Sequence, residues 1–125
     1  MTAYLQPKVL AYKWGGSAVT GDAQGTILKF DTPDLEVTPT GAAEKPMGIL
    51  LTSGPIAVGD NVEVVVQGGA KAKVGAAGIA KGASVASDSA GLAIAATAGE
   101  WSIAVTEETG ASADFVPVLV DLHKA

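Results

Sequence analysis

The chain has 125 residues, 48% of them hydrophobic and 17% charged, with a net charge of −5 and a pI near 4.6. That is too apolar for a disordered chain and long enough for one core without covalent staples. Having no cysteine, no arginine and one histidine near its end, it is excluded from disulfide scaffolds, thiol catalysis and cysteine zinc sites, and it is a poor match for a phosphate backbone.

The first 25 residues stand apart. Tyr4, Tyr12 and Trp14 are half of the six aromatics, and Gly15-Gly16-Ser17 and Gly21 follow as flexible punctuation. As a strand, this stretch puts Leu10, Tyr12 and Trp14 on one face and Val9 and Ala11 on the other. A strand apolar on both faces needs cover on two sides. Either these aromatics cap the domain core, or residues 1–25 form an arm that adds a strand to a neighbouring subunit. On the second reading Tyr4, Leu5, Val9, Leu10, Tyr12 and Trp14 are the interface residues. Residues 26–125 are then the β domain.

Beyond the arm the dominant period is two. Weak strands are expected at Thr26–Phe30, Leu35–Val37 and Met47–Leu51. Asn61–Gln67 alternates Val62, Val64 and Val66 against Asn61, Glu63 and Gln67, a half-buried strand of β-branched residues. Gly68-Gly69 then reads as a tight hairpin or a bulge, before Ala70, Ala72 and Val74 alternate with Lys71 and Lys73. Ser84–Ala86 and Leu92–Ala95 are joined by the turn Asp88-Ser89-Ala90-Gly91. Trp101–Val105 and Val116–Leu122 close the series, and Pro117, which cannot donate to a ladder, points to an edge there. One helical turn each is expected near Ala76–Lys81 and Thr109–Asp114, because Gly interrupts every alanine-rich stretch at about 1 kcal/mol per interior glycine. The fold class is all-β, with at most one or two short helical turns.

A repeat runs at an offset of 54: Ile49 with Ile103, Ala57 with Ala111, Asp60 with Asp114, and Val62, Val64, Val66 with Val116, Val118, Val120. It describes either two β-hairpins of similar composition or two strand–loop–strand units around one barrel-like core.

Chemistry is sparse. Gly75–Gly82 carries glycines and a lysine but lacks phosphate-loop order. Asp31, Asp34 and Glu36 flank Thr32-Pro33, a turn, and lack calcium-loop spacing. Glu107-Glu108 reads as a solvated tip. A Ser-His-Asp triad would have to use His123, near the chain end. No apolar run reaches the ~18 residues of a membrane span, and residues 1–8 lack the basic start of a secretory signal. No enzyme, metal or cofactor is expected.

Lys45-Pro46-Met47-Gly48-Ile49-Leu50, followed by Ala57–Gly68 (AVGDNVEVVVQG), resembles the capsid cement or decoration proteins of tailed phages. Gly69-Ala70-Lys71-Ala72-Lys73-Val74, Ile79–Gly91 and the closing Ser102–Val105 and Val116–Val120 strands continue the likeness, which spans about residues 35–122. The resemblance implies a lambda-type head decoration fold, a small β-barrel or β-tulip with an extended N-terminal arm. It implies homotrimers at local threefold positions on the outer capsid surface of the virion, made in the host cytoplasm. Their partner would be the major capsid protein, with no nucleic acid, membrane or cofactor.

Overall fold

The computed structural model describes residues 7–31, 35–42 and 44–125. They form nine strands: β1 Lys8–Trp14, β2 Ile27–Phe30, β3 Glu36–Pro39, β4 Gly48–Leu50, β5 Asn61–Lys73, β6 Ser84–Ser87, β7 Ala93–Ala95, β8 Trp101–Thr106 and β9 Phe115–Lys124. Among the described residues there is no helix. The two expected helical turns are instead bridged loops: Ile79 and Gly110 exchange backbone hydrogen bonds, both at 2.9 Å.

The strands close two rings that share β5. In the first ring, β1 pairs β3 in parallel, and β3–β2, β2–β4, β4–β5 and β5–β1 pair antiparallel. In the second, β5–β9, β9–β8, β8–β6 and β6–β7 pair antiparallel, and a parallel bridge from Val74 to Ala93 closes the circle. Gly68-Gly69 is therefore no hairpin. It lies inside one 13-residue strand that crosses from ring to ring, with a register shift in the β1 pairing beside it.

The second ring repeats the first pair by pair. Trp14↔Val37 corresponds to Val74↔Ala93, Ile27↔Ile49 to Ser84↔Val105, and Ile49↔Val65 to Val105↔Leu119. The loops match as well. Asp60 Oδ2 accepts from the Ala57 amide at 2.8 Å, and Asp114 Oδ2 from the Ala111 amide at 3.0 Å. The repeat legible in the sequence is thus part of an internal duplication that takes in all nine strands, with two cores. One of its matches is corrected: Ile49 corresponds to Val105, not Ile103, because the loop after β8 is two residues shorter than the loop after β4.

The first core holds Trp14, Leu28, Val37, Leu50, Ile56, Val62 and Val64. The second holds Ala72, Val74, Val85, Ala93, Val116, Val118 and their neighbours, and merges with Ile27, Ile49 and Val65 from the outer face of the first ring. Pro117 does not mark an edge strand, since β9 lies between β5 and β8. β8 ends at Thr106 beside it. The Glu107 amide donates to the Pro117 carbonyl at 2.9 Å, and the return bond is the one proline lacks.

The duplication marks two strained positions. Ala113 has φ +68° where the first half has Gly59 at +89°, and Leu35 has φ +61° where the second half has Gly91 at +81°. A side chain in this region costs about 1–2 kcal/mol. Gly110, in contrast, has no room for a Cβ, which would collide with Val116 Cγ1. In urea denaturation, Ala113→Gly is expected to stabilise the protein by about 0.5–1 kcal/mol. Gly110→Ala, three residues away, is expected to destabilise it by about 1–3 kcal/mol.

Candidate functional site

Cross-strand pairing places Leu10 beside Val64 and Tyr12 beside Val62, so β1 turns Leu10, Tyr12 and Trp14 toward the first core. Trp14 lies deepest, 1% exposed, and its Nε1–H donates to the Ser17 carbonyl at 2.8 Å. At the other end the ring is open. Leu10, Tyr12, Phe30, Met47, Val66 and Leu122 line a groove of about 660 Å³. Phe30 is 60% exposed, and Tyr12 meets it edge-on, with ring centroids 5.7 Å apart. A ring of this size fills with side chains and leaves no channel, so its mouth is a shallow apolar surface. A second groove of about 590 Å³ runs along the waist between Pro7, Leu51, Ala70 and Pro117.

The polar rim of the mouth holds Lys45 and an ion pair, Lys29 Nζ to Glu44 Oε2 at 2.6 Å. That bond to Lys29, with a further one from the Gly41 amide, holds the Glu44 carboxyl below its usual range. Glu100 occupies the equivalent place in the second half and is also lowered, by the Thr97 hydroxyl and then the Thr97 amide. Trp101 has Lys45 Nζ 4.7 Å and Lys124 Nζ 4.4 Å from its ring centroid.

The expected interface residues divide. Trp14 is core. Val9 and Tyr12 are half-buried, Leu10 is exposed, and Tyr4 and Leu5 lie outside the described residues. Residues 8–14, expected within an arm, are a stave of the first ring, bonded to β3 and β5. The sequence reading missed Phe30, the most exposed aromatic among the described residues. Its signal was an aromatic at the end of a short strand, next to the turn at Asp31.

No group of three or more potential metal ligands occurs among the described residues. Asp34 lies outside them. Asp31 and Glu36 both approach Gly15, and the Asp31 amide donates to the Glu36 carbonyl at 2.9 Å, closing the β2–β3 turn. One pairing was not anticipated: Ser84 Oγ lies 3.1 Å from His123 Nε2. His123 Nδ1 is 2.6 Å from the Asp121 backbone carbonyl, so a main-chain oxygen stands where a triad has a carboxylate. Neither Ser84 nor His123 lines either groove described above. The pair ties β9 to β6.

No protein-family model matches the chain, and no match to it is found among curated proteins. Among solved structures, it is similar to the N-terminal base of the head fibre protein gp8.5 of bacteriophage phi29, with a TM-score of 0.70 and 13% identity over 91% of this chain and 95% of that one. The two share a fold.

The lowered carboxylates give a pH dependence. A group whose folded-state pKa is depressed stabilises above its unfolded value, and the effect is lost as pH falls through the folded one. The double variant Glu44→Gln/Glu100→Gln is expected to lose stability less steeply than the parent on acidification below the usual carboxylate range. Urea midpoints across that range measure the difference.

Proposed function

We propose that the chain is a phage capsid decoration (cement) protein, which binds the outer surface of the expanded head and bridges neighbouring major capsid subunits. The observation that carries the reading is the fold: nearly the whole chain follows the base of a phage head fibre. The resemblance of residues 35–122 to decoration proteins agrees with it. The surface suits adhesion rather than turnover, since large apolar side chains stand exposed at Leu10, Phe30, Val58, Phe115 and Leu119. On this reading the protein is not an enzyme and needs no cofactor.

The physical logic is linkage. A protein that binds only the expanded lattice stabilises that lattice by mass action. Contacts too weak to matter singly add when each copy spans several subunits. Trimers at local threefold positions would give each copy such a span, and residues 1–6, with Tyr4 and Leu5, precede β1 in the sequence and can be removed without cutting into it. A sugar-binding role is less well served, because Lys45 and Lys124 lie over the Trp101 ring and Tyr12 is engaged with Phe30.

Expanded shells lacking this protein are expected to bind it saturably, near one copy per major capsid subunit, and to gain resistance to heat and osmotic shock. Unexpanded shells are expected to bind at least tenfold less. Equal survival of shells with and without the protein would refute the stabilising role. Removing residues 1–6 is expected to weaken shell binding while leaving the β-type circular dichroism unchanged.

A further inference from the structure

The duplication shows what a mouth of this kind is built to receive. In the second ring the positions equivalent to Leu10, Phe30, Met47 and Val66 are Ala70, Ser87, Ile103 and Val120. The last three are buried, at 4%, 0% and 1% exposure. They are covered by the first ring, whose outer face sets Ile27, Ile49 and Val65 side by side in register and merges with Ile103 and Val120 into one core. Backbone bonds lock this stopper in place: the Ile27 amide to the Gly91 carbonyl at 2.7 Å, and the Lys73 amide to the Gly25 carbonyl at 3.1 Å.

Each half therefore has a mouth and a stopper, and one of each is used within the chain. The unused mouth is that of the first ring, where Leu10 and Phe30 are 38% and 60% exposed. The unused stopper is the outer face of the second ring. There Ser84, Val105 and Leu119 hold the register of Ile27, Ile49 and Val65, and Val105 and Leu119 are 36% and 40% exposed. Both apolar surfaces fall where the duplication requires them.

We infer that the outer face of the second ring, at Val105 and Leu119, docks on the first-ring mouth of another copy, at Leu10 and Phe30. The contact repeats between chains the one that joins the rings within a chain. It is head-to-tail, so each copy gives one face and receives on the other, and the assembly closes into a ring or extends. The occupant is a second copy because the chain already contains the matching pair of surfaces. In the first ring the seam beside the mouth is closed by the Lys13 amide on the Leu35 carbonyl at 2.7 Å. The intermolecular contact is therefore made by side chains, without the backbone wedge of the internal one. This inference concerns self-association and stands or falls apart from shell binding.

Complementation tests it. The stopper variant Val105→Glu/Leu119→Glu and the mouth variant Leu10→Glu/Phe30→Glu change exposed side chains only. By sedimentation velocity the 125-residue parent is expected to self-associate in a concentration-dependent way. Each variant alone is expected to be at least tenfold weaker. An equimolar mixture is expected to form a 1:1 dimer and stop there, since one intact mouth and one intact stopper remain. Circular dichroism verifies that each variant is folded. If one is not, the cysteine-free parent sequence permits a second assay, in which Phe30→Cys and Leu119→Cys chains are treated with a short bis-maleimide. Mixed cross-links without self-cross-links are the expected result. A monomeric parent at all concentrations, a parent that associates only once residues 1–6 are removed, or variants that associate like the parent would each overturn the proposal.

Discussion

The stability of this molecule turns on the seating of the first ring over the mouth of the second. A β unit of about 60 residues buries only about 60% of its unfolded surface and is marginal alone. Here two such units share β5, and the outer face of one completes the core of the other through Ile27, Ile49 and Val65. Burying a side chain of this kind stabilises by about 1.5–3 kcal/mol, with area-based sums an upper bound. Three such residues therefore match a large share of a typical domain's net stability. The seat also restricts what can lie beneath it. A Cβ on Gly91 would fall 2.6 Å from Thr26 Cγ2 and 3.1 Å from the Ile27 carbonyl, so the turn that receives the stopper must stay bare.

The two rings solve one packing problem with different side chains. Tyr12, Trp14, Leu50 and Ile56 of the first occupy the places of Ala72, Val74, Thr106 and Gly110 in the second. Large side chains can fill the first ring because one of its ends stays open. The second, closed at its mouth, takes small ones, and Gly110 is its limit. Thr106 shows how a polar residue is accommodated there: its Oγ1–H donates to the Ala80 carbonyl at 2.7 Å, and its oxygen accepts from the Ala83 amide at 3.0 Å. Buried polar atoms are usually paired in this way. Among the described residues, Thr40 Oγ1 at the junction of the rings is a buried side-chain atom without a partner. Its own carbonyl accepts from Ser87 Oγ at 3.0 Å, which fixes the residue in place at the expense of its hydroxyl.

Alternation at period two located the strands, because a β-strand needs only local pattern to declare which face is wet. Val62, Val64 and Val66 lie where their spacing puts them, and the Asp88–Gly91 turn is held by Asp88 Oδ1 accepting from the Ala90 and Leu92 amides. Closure was not local. The sequence could not reveal that one strand passes through Gly68-Gly69 into a second ring, since a hairpin and a crossing demand the same glycines. The duplication was visible only from Ala57 and Ala111 onward, where the offset between the halves is constant. The two-residue difference between the loops after β4 and β8 displaced the match in those strands, and the replacement of Trp14 by Val74 hid it again. The mouth itself was invisible because its residues come from β1, β2, β5, β9 and the segment before β4 and share no sequence spacing. Leu10, Tyr12 and Trp14 were singled out as one strand face, but only the ring places Trp14 at its buried end and Leu10 at its open one.

Duplication followed by divergence also explains why the remaining surface is directional. If both halves had kept large side chains, the second mouth would clash with its stopper. If both had kept small ones, the first would lie hollow. Divergence of the interiors leaves one apolar mouth, at Leu10 and Phe30, and one apolar stopper face, at Val105 and Leu119. Monomeric proteins seldom leave contiguous apolar surface uncovered without a partner for it. Two unlike surfaces on one rigid body favour ordered arrays over random aggregation, because each contact consumes a mouth and a stopper together. For a protein read as a shell fastener, this separates contacts between copies from contacts with the lattice. Val58, in the loop after β4, and Phe115, at the start of β9, lie away from the mouth and remain available to face the shell.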